Sequence, residues 1–418
     1  MAVKRRPRPA FFHVCALACA AAVGGAVAED RAQTTQRDSD VREGPGAYFD
    51  VVGRLPRGTT VQVGEAKGFW HAARSAKLSG WTPASAFDKP KAGTDYLGLV
   101  EGEGGMVISS VDITAAAKGA FAARLAEKQR VDLGKADVLD LLRADPRMVQ
   151  TIRAGLPRHL DDNTLARLPR IPFSNTMCLD GEAETLLGRA LASSLLTNGV
   201  VNDAKLVGYV NAVAAVVGEK TERYYLPYRV AILDDSSING FGLPGGYICI
   251  SRGLIEKLRD EAELACVLGH EMAHISRFHG LREFKKREIH RRADQVFGEL
   301  DKATNRSDEV RKIEESLDSV AQEAWLKIMS GRARTDELEA DLFGAAYAAA
   351  AGYQPSAAVD VLERIAGSGV EEADICRHHP PLEKRIAELK KGIAQYRLAR
   401  NDQVRPADRL RAAIATAR

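Results

Sequence analysis

Hydrophobic and polar positions follow two different periods along the chain. Between residues 39 and 88 the apolar runs are short. Val51-Val52-Gly53, Thr60-Val61-Gln62-Val63 and Gly80-Trp81-Thr82-Pro83 are separated by Gly and Pro turns, which predicts short strands. From about residue 180 the period lengthens. Glu182 to Leu196 and Asp203 to Val217 carry apolar residues at helical spacing. Tyr228 to Leu233 predicts a strand, and Asn239 to Ile250 a turn followed by a second strand. Asp260 with Glu263 is a capping-box start, and a long helix runs from it through Leu264, Val267 and Leu268 past His274.

Less regular segments divide these regions. Residues 1–28 hold Lys4, Arg5, Arg6 and Arg8, then an apolar run from Phe11 to Val27, then the small-x-small site Ala26-Val27-Ala28. That is the pattern of a secretory signal peptide, with an uncleaved membrane anchor as the alternative. Leu17-Ala18 ahead of Cys19 fits lipid attachment poorly. Residues 29–38 are polar and predict a flexible linker. Residues 91–178 are broken by Pro146, Pro157, Pro169 and Pro172 and predict a mostly helical connector. Residues 280–330 are dense in charge, with Leu281, Phe284, Ile313 and Leu317 among apolar positions spaced as on amphipathic helices. They predict a helical insert, serving as a lid, a partner surface or plain packing. Residues 398–418 predict a polar, frayed tail.

Composition adds compartment and excludes some partners. The 418 residues are 45% hydrophobic and 28% charged, which suits folded domains. Loss of residues 1–28 removes four positive charges and no negative ones, taking the formal charge from +3 to −1. No basic surface remains to suggest nucleic acid. Beyond the signal, no run of 18 uncharged apolar residues would span a membrane. The expected product is secreted, periplasmic and at most peripheral to the membrane. Of six cysteines, Cys178, Cys249, Cys266 and Cys376 lie beyond the signal. They allow up to two disulfides or buried free thiols, and without a Cys-x-x-Cys pair they do not suggest a thiolate metal site.

The chemistry centres on His270-Glu271-Met272-Ala273-His274. Residues four apart share a helical face, so two imidazoles reach one cation, and Glu271 projects beside it as a base for water. Such a motif arises by chance in about one chain in a hundred of this length and composition. A third ligand is needed. Glu337 and Asp341, in Glu337-Leu338-Glu339-Ala340-Asp341, share a face of a later helix. Glu337 can close a zinc triad with His270 and His274, leaving a position for water. Asp341 can accept a hydrogen bond from a ligand histidine, most simply His270. Glu339 points elsewhere and reads as an ordinary charged helix face.

Two resemblances follow. Val41 to Gly46, Leu55 to Val61, Gly68-Phe69-Trp70 and Gly80 to Ser85 resemble a bacterial SH3-type domain over residues 39–90. That resemblance implies a small all-β barrel with a peptide or cell-wall ligand, or a spacer in which Trp70 and Trp81 fill the core. Residues 179–397 are read as one domain, of which roughly residues 180–390 resemble the Ste-type and HtpX-like zinc proteases, metallopeptidase family 48 of the gluzincin group. The matching segments are Asn239 to Tyr247, Glu263 to Glu271, His279, Arg334 to Asp341, and His379-Pro380-Pro381 with Arg385-Ile386. Where the family usually has Ala after Asn239, this chain has Gly240.

The resemblance implies an α+β fold: a mostly helical zincin domain with a small sheet, preceded by the all-β barrel. It implies one zinc per chain on His270, His274 and Glu337, with Asp341 supporting a ligand. Glu271 and the late histidine His379 would be catalytic. His379 would approach the metal or steady the oxyanion, or else cap the helix that begins at 382. His279 is not assigned to zinc. Asn239, Phe241, Gly242 and Leu243 would hold an extended protein or peptide substrate along a strand edge. The expected activity is hydrolysis of peptide bonds in misfolded or unassembled envelope proteins. The alternative is an envelope chaperone or peptidoglycan-associated binding protein in which proteolysis is rare.

Overall fold

The computed structural model describes residues 31–88, 142–157, 199–279, 334–367 and 381–416, with shorter pieces between 138 and 196. The signal peptide, most of the connector, the charged insert at 280–330, Cys178, Cys376 and His379 lie outside the described residues.

The N-terminal region is all β. Strands β1 (Arg31–Thr34), β2 (Ser39–Arg42), β3 (Val51–Leu55), β4 (Thr60–Lys67), β5 (Trp70–Arg74) and β6 (Ser79–Pro83) form one antiparallel sheet in the order β1-β4-β5-β6-β2-β3. Alternation along β4 buries Val61 and Val63 against Val41, Leu55 and Ala73. The linker expected at 29–38 is partly a strand, because Arg31–Thr34 pairs with Val63–Thr60. Its own residues carry no apolar alternation; the open ladder of β4 recruits it, and composition does not reveal that. Trp70 is buried at the junction with the helical region. There Phe69 stacks on Tyr224 at 4.9 Å, and the Ser85 N–H donates to the Tyr224 hydroxyl at 3.3 Å. Trp81 is only half-buried, under Lys67.

The C-terminal region is helical around a small sheet. In chain order it comprises α1 (Pro146–Ala154), α2 (Ala204–Gly218), β7 (Arg229–Leu233), β8 (Gly240–Leu243), β9 (Tyr247–Ser251) and α3 (Arg252–Lys257). Then follow α4 (Glu261–Ser276), α5 (Arg334–Ala351), α6 (Ser356–Ala366), α7 (Leu382–Gln395) and α8 (Asp408–Thr416). Strand β9 lies between β7, its parallel neighbour, and β8, its antiparallel one. The stretch 239–250, expected as a turn and one strand, is thus a hairpin. Gly245 and Gly246 turn it with φ of 74° and 93°, a region that side chains disfavour.

Helix α4 is the centre of the domain. Asp260 caps it, accepting from the Glu263 N–H at 2.9 Å, while the Glu263 carboxylate accepts from the Arg259 N–H at 2.8 Å. Fourteen of its residues are buried, and only Val267 and His270 are partly exposed. Cys266 on α4 and Cys249 on β9 are buried free thiols, and burial pushes each up to about 12.

Helices α4 and α5 touch backbone to backbone at two glycines. A Cβ at Gly269 would lie 2.5 Å from the Gly344 carbonyl oxygen, and one at Gly344 would lie 2.5 Å from the His270 nitrogen. This closeness brings Glu337 and Asp341, about two turns and one turn before Gly344, within reach of the histidines of α4. Gly344→Ala is expected to force the helices apart, cost about 1–3 kcal/mol and weaken metal binding. Denaturant unfolding and a metal-competition titration would check both effects.

The C-terminal stretch is not a frayed tail. Leu410 is fully buried on α8, and Arg409 grips Glu261 at the start of α4 at 2.7 and 2.5 Å. Arg405 reaches Asp260 at 2.9 Å and Glu263 at 3.2 Å. The polar composition that suggested fraying is a set of arginines neutralising a buried acidic helix start. Glu261 has no exposed surface and also accepts from the Tyr209 and Tyr353 hydroxyls. Arg409→Ala leaves that carboxylate without its cation. The expected loss is about 2–3 kcal/mol, toward the low end for a broken buried pair because Arg409 is one third exposed. Chemical denaturation, with the exposed Lys391→Ala as control, would measure it.

Candidate metal centre

Three donor atoms converge between α4 and α5. His270 Nε2 lies 3.0 Å from His274 Nε2 and 3.6 Å from Glu337 Oε2, and His274 Nε2 lies 3.4 Å from Glu337 Oε1. Metal–donor distances of about 2.0–2.2 Å give a tetrahedron with edges of about 3.3–3.6 Å. Two of the three edges fall in that range, and the histidine pair is a few tenths of an ångström short of it. Two imidazoles and a carboxylate at this spacing suit a small divalent cation. Glu337 and His274 are buried, whereas the His270 side chain keeps 17% of its surface exposed, which marks the side open to solvent.

The ring orientations are held from behind. His270 Nδ1 donates to Asp341 Oδ1 at 3.0 Å. Asp341 also accepts two hydrogen bonds from Arg385, from Nε at 2.8 Å and from Nη2 at 2.6 Å. Burial pushes the Asp341 carboxyl up, but Arg385 and His270 outweigh it and hold it below the usual carboxylate range. Burial opposes charge on His270, yet Asp341, Glu271 and Glu337 together raise its pKa above the ordinary histidine value. The same carboxylates favour any positive charge at this point.

Glu271 is buried beside the ligand pair, under strand β8. A Cβ at Gly242 would lie 2.3 Å from the Glu271 backbone oxygen. A Cβ at Gly240 would lie 2.8 Å from Glu271 Oε1. The departure at Gly240 therefore has a local meaning: the Glu271 carboxylate stands where an alanine methyl would be.

The strand expected to hold substrate is the terminal strand of its sheet. Asn239 precedes it and is tied down, its backbone exchanging hydrogen bonds with Ser251 and its Nδ2 donating to Ser237 Oγ at 2.9 Å. Phe241 is half-buried. Leu243 is fully buried with Ala231, Leu233 and Tyr247, so its side chain serves the core.

Three residues near the centre lay outside the sequence assignment. Glu339, read as an ordinary charged face, is buried and accepts from Arg277 Nε at 2.9 Å, with His279 Nε2 at 3.1 Å from its other oxygen. Helix α5 is covered on that flank by the C-terminal end of α4, which periodicity alone does not reveal. His279 is buried, its Nδ1 2.8 Å from His274 Nδ1. Arg385 was quoted only as part of a matching segment.

The model of Peptidase family M48 matches residues 202–393. The chain is 25% identical over 238 residues to a putative beta-barrel assembly-enhancing protease of Vibrio cholerae, covering 56% of this chain and 49% of that protein. It is 22% identical over 212 residues to the beta-barrel assembly-enhancing protease of Escherichia coli O157:H7, covering 47% and 41% respectively. It is 26% identical over 161 residues to the mitochondrial metalloendopeptidase OMA1 of Arabidopsis thaliana, covering 38% and 30%. The chain thus spans about half or less of the length of these relatives. No helix among the described residues is long and apolar enough to cross a membrane. Residues 202–393, with the histidines of α4 and the carboxylates of α5 inside them, thus match the M48 metallopeptidases.

Proposed function

We propose that this protein is a zinc-dependent endopeptidase of the periplasm, acting on extended segments of misfolded or unassembled envelope proteins. The observation that carries the reading is the convergence of donor atoms of His270, His274 and Glu337 within 3.0–3.6 Å of one another, with Glu271 beside them. His270, His274 and Glu337 would hold the ion. Zinc bound there supplies Lewis-acid polarisation of a carbonyl and makes water more acidic.

The chain's own residues do the rest. Glu271 takes the proton from the attacking water and returns it to the leaving amine. Asp341, clamped by Arg385, keeps His270 in the tautomer whose Nε2 lone pair faces the centre. The backbone of β8 offers a strand edge to an extended chain, and such pairing reads shape more than sequence. His379 would act from the segment before α7. The relatives named for beta-barrel assembly support an envelope substrate, since misassembled barrels expose strands.

The test uses purified protein and an unfolded outer-membrane protein. Cleavage should stop on chelation and return with about one equivalent of zinc per chain. Cleavage that persists in metal-free protein would rule the reading out.

A further inference from the structure

Beyond the three ligands, a relay of two side chains fixes the second histidine. We infer that His279 and Glu339 are positioning residues that set the tautomer of His274, and that this relay limits the centre to one cation. The inference rests on the zinc reading above.

His279 Nε2 lies 3.1 Å from Glu339 Oε2, and a carboxylate only accepts, so this nitrogen carries a hydrogen. In the neutral ring Nδ1 is then bare. It lies 2.8 Å from His274 Nδ1, so the single proton between them belongs to His274. His274 Nε2 is left with its lone pair, and it faces Glu337 and His270 Nε2. Glu339 is itself held by Arg277, whose guanidinium also lies 4.9 Å from the Phe343 ring. Each histidine of α4 thus has its own carboxylate. His270 meets Asp341 directly, and His274 meets Glu339 through His279.

The backbone supports the same conclusion. Helix α4 ends at Ser276, and Phe278 adopts φ of 55°, a left-handed conformation uncommon outside glycine. That reversal returns His279 onto His274, five positions earlier. The Phe278 ring is covered by Arg223, whose Cζ lies 4.6 Å away. A strained residue held at this point matches a need to place the next side chain.

His279, Asp336 and Glu339 also cluster within 4.8 Å, as a second ion site would. An ion there would need the bare Nε2 of His279. The shared proton would then sit on His279 Nδ1, His274 would keep its hydrogen on Nε2, and the first site would lose a ligand. The two occupancies exclude each other with neutral rings.

The test measures zinc affinity by competition with a chromogenic chelator, zinc per chain, and histidine ring ¹⁵N shifts in the zinc-loaded protein. Parent protein should bind one zinc, with protons on His274 Nδ1 and His279 Nε2. His279→Leu should weaken zinc binding about 10–100-fold. His279→Asn, whose side-chain oxygen replaces the Nδ1 acceptor, should restore affinity to within about threefold of parent. Glu339→Gln keeps an acceptor for His279 and, as a milder change, should fall between the two. A merely structural role would lower the melting temperature in each variant without this order of affinities. Unchanged affinity in His279→Leu, or two zinc ions in parent falling to one in that variant, overturns the relay. Failure of the zinc reading itself looks different: parent would bind no zinc, or His274→Ala would bind it as parent does.

Discussion

Glu271→Gln should bind one zinc per chain, fold as the parent does, and lose proteolysis by about 10²–10⁴-fold. Glutamine matches glutamate in size, so the packing of the side chain beneath β8 is preserved. What it lacks is the basic oxygen that takes a proton from water. The loss corresponds to roughly 3–5 kcal/mol of activation free energy, the scale of a general base. The site makes this substitution unusually clean. The Glu271 side chain lies in a slot formed by two glycines of β8, and no neighbouring carboxylate of that strand can take over. Cleavage-site mass spectrometry of an unfolded outer-membrane protein, with zinc content measured on the same samples, gives both numbers. A variant that cuts at the parent rate would show that water is activated by some other group.

Arg385→Met should damage stability and metal binding together. Asp341 is buried and accepts both of its strongest hydrogen bonds from this guanidinium. Methionine fills the volume and leaves the carboxylate with His270 alone. Breaking a buried pair from one side costs about 3–5 kcal/mol. The Asp341 pKa lies below its unfolded value, so its contribution is complete above the ordinary carboxylate range and is lost as pH falls through the depressed value. The penalty is therefore fully expressed at neutral pH. Zinc affinity should fall about 10–100-fold, because His270 loses its anchored partner. The double variant Arg385→Met with Asp341→Leu separates the two effects. It should regain most of the stability, since an apolar pair replaces an ionic one, and regain none of the affinity. Urea unfolding and chelator competition on the three proteins would measure this.

Residue spacing alone made a large part of the centre legible. The four-residue interval of His270 and His274 depends only on helix geometry, as does the matching interval of Glu337 and Asp341. The structure brings all four together with Glu271. What spacing did not reveal is what lies behind each ligand. Glu339 sits two positions from Glu337 and points to another flank, which is solvent in a lone helix. Here that flank meets Arg277 and His279, so its charge is buried and paired. Strand β1 was hidden for a similar reason, since its ladder partner lies in β4 and its own residues have no strand pattern. Arg405 and Arg409 looked like a solvated tail because a composition does not say that their partners are the acids at the start of α4. In each case the missing information was a long-range neighbour, whereas the legible part depended on local periodicity.

The grip of Arg409 on Glu261 spans 148 positions of sequence. During synthesis the residues of α4 are made long before that arginine exists. Its first turn, with a carboxylate that has no exposed surface in the finished fold, must wait in water or with temporary partners until residues 405 to 409 have been made. The domain therefore cannot close around the start of α4 until its last helix, α8, has been made.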